Sequence, residues 1–171
     1  MTIKIGLAFY HRGLNDHGVA TSFRWSIVAQ DSRAPDTYPF QENQVDDSSG
    51  RWETNHLSEI TLSASVAYAG CILVSSSLDF EVPEFDELIQ QYGLHMDPHI
   101  LPPGYEFSCA WWAIGVLIYL HENDFINLPS HEEPLELYSR FLARAHFLLI
   151  QRLHAIRHGV TVQDNAPVVQ L

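Results

Sequence analysis

The chain has 171 residues, 46% of them hydrophobic and 18% charged, and 21 acidic against 9 basic residues give a formal net charge of −12. This composition is typical of a folded protein with its own core and excludes a disordered chain. The negative charge argues against a nucleic acid partner and an anionic lipid surface, since both require basic patches. No apolar run approaches the roughly 20 residues that a membrane-spanning helix needs.

The two cysteines, Cys71 and Cys109, lie far apart in apolar stretches and form neither a disulfide framework nor a zinc-ligand pattern. The N-terminal segment MTIKIGLAFYHRG has too short an apolar run for a signal peptide. We therefore expect a cytoplasmic protein.

The first half of the chain has the alternation and β-rich composition of strands. We predict strands over 2–10, 23–30 and 63–76, the last of them bent or bulged at Gly70. Shorter strands are predicted near Tyr38 to Gln41 and at the segment RWET, residues 51–54.

The second half favours helices. The segment VPEFDELIQQYG, residues 82–93, has Pro83 at its opening and Gly93 at its end. A second helix opens at Cys109 and is apolar nearly all round, which predicts a central position in the core. A third occupies the region 130–159, where Ser130 has capping-box spacing and Pro134 can mark the first turn.

These elements predict one α+β domain over 1–171, with 160–171 either a strand fragment or a loosely held tail. An antiparallel sheet from the N-terminal half would pack against about three helices from the C-terminal half.

Few known motifs are present. The chain has no phosphate-binding glycine loop and no GxSxG elbow. The histidine pairs His95 with His99 and His154 with His158 lack a neighbouring carboxylate or cysteine in a known ligand pattern. Neither a metal nor another cofactor is predicted.

Cys109 is the first candidate for chemistry. It falls in the first turn of its predicted helix, where free N–H groups and the positive end of the helix dipole would favour a thiolate. The alternative is that Cys109 only packs in the core, as free cysteines commonly do. A cysteine enzyme also needs a base, normally histidine, within reach of the sulfur.

Three segments, FRWSIV (23–28), GRWET (50–54) and SCAWWAIGVLIYL (108–120), carry a family resemblance that would span residue 3 to about 120. The chain resembles permuted papain-like domains of the NlpC type and the lecithin:retinol acyltransferase-like type. It is also similar to a family of small uncharacterised fungal proteins. The resemblance implies a Cys109 nucleophile and a strand histidine, and the fungal likeness implies a role in secondary-metabolite biosynthesis.

The chain departs from this pattern at the histidine. Arg24 stands before the strand tryptophan, and a guanidinium, which stays protonated, cannot act as a general base. His56, just after RWET, is the nearest replacement in sequence for a partner of Cys109.

Arg24 has another possible role. Beside a helix N-terminus and a thiol, a guanidinium would form a corner that binds an oxyanion, enolate or carboxylate. In the alternative, Glu53 neutralises Arg24 in a pair between strands that has no catalytic role.

Aromatic residues are plentiful, and several carry a polar end. They are predicted either to line a concave site for an apolar small molecule or to belong to the core. The candidates for a substrate-binding wall are Tyr10, Trp25, Trp52, Tyr105 and Trp112.

Three functions follow from these observations. The favoured one is a small-molecule-binding protein or cyclisation-type enzyme that acts on an apolar, carbonyl-bearing substrate by positioning and hydrogen bonding. The second is a cysteine-dependent acyl hydrolase or acyltransferase that uses Cys109. The third is a non-catalytic module that binds a protein partner.

Overall fold

The computed structural model describes residues 1–35, 39–129 and 133–159 in full, together with the backbone of 168–170. The strands of the N-terminal half are β1 (Ile3–His11), β2 (Phe23–Asp31), β3 (Phe40–Asp46), β4 (Glu53–Ile60) and β5 (Tyr68–Leu78). A short 3₁₀ helix, Leu62–Ala64, precedes β5. The C-terminal half contributes α1 (Val82–Tyr92), α2 (Cys109–Glu122), α3 (Pro134–Arg157) and β6 (Val168–Gln170).

The strands form one sheet in the order β4-β3-β2-β1-β5-β6. The pairings from β4 through to β5 are antiparallel, whereas β6 runs parallel to β5. Residues of the three helices share a single apolar core with the sheet. The predicted α+β architecture, an N-terminal antiparallel sheet against C-terminal helices, is therefore confirmed.

Two strands are longer than their sequence patterns suggested. β3 continues from Phe40 to Asp46, and β4 continues from Glu53 to Ile60. In β3 the run of three polar residues from Glu42 to Gln44 breaks the expected alternation, yet these residues are buried. Tyr38 lies outside the described residues.

The helices begin and end where the sequence signals are strongest. α1 has a capping box between Glu81 and Glu84 and ends at Tyr92, and Gly93 caps it with a φ of +58° that suits glycine. Helix α3 begins at Pro134, and the alternative capping residue Ser130 lies outside the described residues. Of the tail, the described residues form β6, a short strand.

α2 is the centre of the core. Most of its residues from Cys109 to Leu120 are buried, in accord with a sequence that is apolar on every side. Trp112 is 1% exposed, and its indole N–H donates a hydrogen bond to the carbonyl oxygen of Gly93 at 2.8 Å. This bond ties α2 to the end of α1.

The side chains of β2 alternate between the two faces of the sheet and therefore lie in two different apolar clusters. Phe23 and Trp25 belong to the large core that the helices share, whereas Val28 belongs to a smaller apolar cluster. That smaller cluster also contains Tyr10 and Leu62 of the 3₁₀ helix. Since neighbouring side chains of a strand point to opposite faces, the face of β2 away from the helices carries Arg24.

β1 and β5 approach each other closely at Gly6. A Cβ atom on Gly6 would lie 2.7 Å from the carbonyl oxygen of Ile72 and 2.8 Å from the sulfur of Cys71. Only a residue without a side chain fits this pairing unless the strands move apart.

Candidate functional site

Cys109 opens α2, as the sequence predicted, and its turn is capped by Ser108. The Ser108 hydroxyl oxygen accepts a hydrogen bond from the backbone N–H of Trp111 at 3.3 Å. The Cys109 sulfur lies 3.9 Å from the carbonyl oxygen of Phe23 and 3.9 Å from a guanidinium nitrogen of Arg12. The thiol thus has an acceptor on one side and a cation on the other.

Within the described ranges, no imidazole hydrogen-bonds to this thiol. Its two hydrogen bonds go to Arg12 and Phe23. Only the protonated S–H form can donate to the Phe23 carbonyl, and the residue is 4% exposed. His146 packs its ring against the Phe23 side chain, with centroids 4.9 Å apart. Among the described residues, Cys109 is therefore a packed thiol with no base hydrogen-bonded to it.

Arg24 lies on the other side of the sheet from Cys109. Its guanidinium carbon sits 4.3 Å from the centre of the Tyr10 ring, and a guanidinium nitrogen lies 3.7 Å from a carboxylate oxygen of Glu42. The structure therefore does not bring Arg24 and Cys109 into one anion-binding corner. The cation beside the thiol is Arg12, from the loop that follows β1.

Glu42, rather than Glu53, neutralises Arg24. The Glu42 side chain is 2% exposed, whereas Glu53 is exposed at the start of β4 and accepts a hydrogen bond from the Ser49 hydroxyl at 3.1 Å. Burial first, and then the Glu42 carboxylate, raise the pKa of Tyr10. An Arg–Glu pair between strands was expected as an alternative, and it exists with a different carboxylate.

Most members of the predicted aromatic wall pack against aromatic side chains outside that set. Tyr138 stacks on Trp25 at a centroid distance of 5.5 Å and on Trp111 at 4.9 Å. Tyr105 meets Trp111 edge to face at 5.3 Å, and Trp52 meets Phe107 in the same way at 5.1 Å.

These contacts fill the core and its margin, and Tyr10 packs against Tyr68 on the far face. Trp112, also a member of the proposed wall, lines a cavity.

That cavity, of about 230 Å³, lies between β3, β4, α1 and α2. We call it the His56 cavity. Ile89 and Trp112 form its apolar wall, and Asn43, His56 and Gln90 supply polar groups. It brings together two residues singled out from the sequence, His56 and Trp112, neither of which touches Cys109 through a hydrogen bond.

His56 is held by two residues that the sequence did not single out. Its Nδ1 lies 3.2 Å from the amide oxygen of Asn43, and that carbonyl can only accept, so Nδ1 carries a hydrogen. The Asn43 amide nitrogen donates to one oxygen of Asp86 at 2.8 Å. The other Asp86 oxygen lies 3.6 Å from His56 Nε2. The three side chains therefore form a closed polar group.

Burial raises the pKa of Asp86, and the hydrogen bond from Asn43 and the charge of His56 oppose this shift. Because Nδ1 bonds to the Asn43 oxygen, Nε2 is the ring atom that faces the carboxyl group. A buried carboxyl group with a raised pKa next to an imidazole at a cavity wall is an arrangement suited to general acid–base chemistry.

Sequence reasoning missed Asn43 and Asp86, although each had a signal. Asp86 directly follows Phe85 and is three residues before Ile89, so it falls on the apolar side of an amphipathic helix. Asn43 pairs with His56 across β3 and β4, but this contact requires the register of two strands whose extents the pattern did not define.

Comparison with known proteins adds no relative: no protein family model, curated protein or solved structure matches the chain. Among the residues that the structure describes, no group of three or more histidine, cysteine or acidic residues is arranged to hold a metal ion. No helix in these same ranges is long and apolar enough to cross a membrane.

Proposed function

We propose that this protein binds a small carbonyl-bearing molecule with an apolar body in the His56 cavity and exchanges a proton with it through the His56–Asp86 pair. The activity would be of the cyclisation or isomerisation type, without a covalent nucleophile. The observation that supports the proposal is the Asp86–Asn43–His56 group, in which the buried Asp86 and Asn43 hold the more exposed His56 at the wall of a cavity that Trp112 also lines.

The size of the cavity restricts the ligand. A volume of about 230 Å³ corresponds to about eight water molecules at their share of the liquid volume, so it admits a small molecule or one end of a larger one. Trp112 and Ile89 would contact the apolar part. The amide of Gln90 can donate a hydrogen bond to a carbonyl oxygen, and that polarisation favours enolisation beside an acid–base pair.

The roles of the chain's own residues follow from their positions. The His56–Asp86 pair would take a proton from the carbon next to the carbonyl group or return it there, a contribution of typically about 10²- to 10⁴-fold in rate. Asp86 would hold the ring and stabilise its charged form, while Asn43 fixes the carboxylate and the Nδ1 hydrogen. The setting in secondary-metabolite biosynthesis that the sequence resemblance implies is part of the same proposal.

The other two functions have less support from the geometry. A cysteine acyl hydrolase needs a base near Cys109, and the described residues place Arg12 and a backbone carbonyl there. A non-catalytic interaction module would not need a closed polar group with a buried carboxylate, which is costly to bury.

The proposal can be tested with a panel of small cyclic and aryl ketones, using thermal unfolding for binding and exchange of the α-hydrogens in D₂O for proton transfer. A ligand at 100 times its Kd stabilises the native state by about 2.7 kcal/mol, a rise in Tm of about 5 to 10 °C for a chain of this length. His56→Gln should abolish catalysed exchange but keep binding within about tenfold, because it removes the base and preserves hydrogen-bonding capacity.

His154→Gln is the matched control, because His154 lies near the end of α3 and does not line this cavity. Equal exchange rates in wild type and His56→Gln would contradict the proposal. Selective acylation of Cys109 by a thioester probe would favour the acyl hydrolase. A stoichiometric partner that co-purifies, together with no response to the ketones, would favour the interaction module.

A further inference from the structure

A second and larger cavity, of about 470 Å³, lies where α1 and α2 end. We call it the Tyr92 cavity. The residues that matter for its chemistry are Tyr92, His95, Asp97, Gly115, Tyr119 and Glu122. Nothing in the proposed function requires this space, since its lining shares no residue with that of the His56 cavity.

Gly115 lines this cavity and leaves space for the Tyr92 side chain, which forms one of its walls. A Cβ atom at this position would lie 2.6 Å from the Tyr92 hydroxyl oxygen and 3.4 Å from the sulfur of Met96. Glycine inside a helix costs about 1 kcal/mol relative to alanine, so its presence in the middle of α2 needs a reason. The reason in this structure is the tyrosine ring that packs over it.

Several features give the Tyr92 cavity a negative electrostatic potential. Asp97 and Glu122 line it with carboxylates, and none of its lining residues is lysine or arginine. One oxygen of Asp97 accepts a hydrogen bond from the His99 backbone N–H at 2.9 Å, which fixes the carboxylate in place. Burial, together with the charges of Asp97 and Glu122, raises the pKa of Tyr92 to about 12.

The ends of both helices strengthen this potential. α1 ends at Tyr92 and α2 ends at Glu122, so each presents the negative end of its dipole near the cavity. The last turn of α1 contains no basic residue to offset it. Cations are the ligands that such helix ends favour.

The aromatic groups of the cavity suit the same kind of ligand. The rings of Tyr92 and Tyr119 lie with their centroids 5.3 Å apart and tilted by 50°. Tyrosine faces attract ammonium groups, and the rings also contact apolar carbon. A metal ion fits less well, because the described residues offer no cluster of three ligating side chains.

We propose that the Tyr92 cavity binds an organic ammonium ion, namely a primary amine carried on a small apolar or aromatic body. Asp97 and Glu122 balance the charge, Tyr92 and Tyr119 contact the carbon skeleton, and Gly115 leaves the space for the Tyr92 ring. The inference is independent of the proposed reaction in the His56 cavity.

The test compares two probes of the same shape, 2-phenylethylamine and 2-phenylethanol, by isothermal titration calorimetry at pH 7. A primary aliphatic amine is protonated at this pH, as a lysine side chain is. We expect the amine to bind the wild-type protein at least about tenfold more tightly than the alcohol, a difference of about 1.4 kcal/mol. Shifts of the amide signals of Gly115 and Tyr119 in NMR spectra should locate the bound amine.

Glu122→Gln and Asp97→Asn should each weaken amine binding by about three- to tenfold and leave binding of the alcohol unchanged. Glu87→Gln is the matched control: it removes the same charge from an exposed position on α1 that does not line the cavity. Because Glu122 is exposed, its substitution should not change Tm, and Asn at 97 can still accept the bond from His99.

Several results would overturn the inference. One is the absence of saturable binding of the amine to the wild-type protein. Another is equal affinity for amine and alcohol. A third is an equal loss in Glu87→Gln and Glu122→Gln, which would mean that the net charge of −12 attracts the amine without a site.

Discussion

Asp86 allows the polar group of the His56 cavity to be probed by a pair of substitutions that differ in one hydrogen bond. Asp86→Asn keeps an oxygen that accepts from the Asn43 amide, whereas Asp86→Ala leaves that amide without an acceptor. Both substitutions remove the buried charge, so the cost of burying it cancels when the two variants are compared.

The magnitude of the difference follows from the burial of Asn43, which is 3% exposed. A buried donor that loses its partner costs about 1 to 3 kcal/mol. For a chain of this length, each kcal/mol shifts Tm by about 2 to 4 °C. With a central value of about 2 kcal/mol, Asp86→Ala should melt about 4 to 8 °C below Asp86→Asn.

The wild-type protein should respond to pH in a defined direction. Because the pKa of Asp86 is raised in the folded state, the folded chain binds more protons than the unfolded chain above the ordinary carboxyl pKa. Wild-type stability relative to Asp86→Asn should therefore fall as pH rises from about 4, and level off once the folded carboxyl group is ionised.

Thermal melts followed by circular dichroism between pH 4 and 8 measure both effects. Glu87→Asn and Glu87→Ala form the control pair, since Glu87 is exposed on the same helix and should show a difference under about 0.5 kcal/mol. Equal melting temperatures for the two Asp86 variants would refute the assigned hydrogen bond. If the stability of the wild type relative to Asp86→Asn rose with pH, the direction of the pKa shift would be refuted.

Two further predictions concern the sheet and the thiols. Gly6→Ala should lower Tm by about 2 to 12 °C, because overpacking costs about 1 to 3 kcal/mol. The added methyl group would meet the backbone oxygen of Ile72, which cannot rotate away as a side chain can. An unchanged Tm would contradict the close approach of β1 and β5. Cys109 and Cys71 are buried, so iodoacetamide should label neither in the native protein at the rate of a free thiol and should label both after unfolding. Rapid native labelling of Cys109 alone, detected by mass spectrometry, would indicate an activated nucleophile.

Local signals were enough to predict most of the architecture. Pro83 and Gly93 marked the limits of α1, and the all-round apolar sequence after Cys109 predicted its central position. β3 was harder to predict, because its buried polar residues break the alternation of a strand and the tertiary partners of Asn43 do not show in sequence periodicity. The carboxylate of Asp86, for example, explains why Asn43 can be buried.

The candidate site was less accessible from the sequence. His56 and Trp112 were identified as residues with chemical potential, but their common cavity depends on how α1 and α2 pack against β3 and β4. The location of Arg24 depends on which face of the sheet its side chain occupies, and a shift of one residue along β2 would move it to the opposite face. Alternation from Phe23 and Trp25, both apolar, would have indicated that Arg24 points away from the helices.

The parallel strand β6 has a consequence for variants of the protein that are shortened at the C-terminus. Within the part of the chain that the structure describes, β6 covers β5 from Cys71 to Leu73. Truncation after residue 159 would bare those backbone groups at a sheet margin, where another polypeptide can add a strand. The polar serines from 75 to 77 lie farther along β5 and would not protect the exposed segment. A shortened protein should therefore aggregate more readily than the full chain.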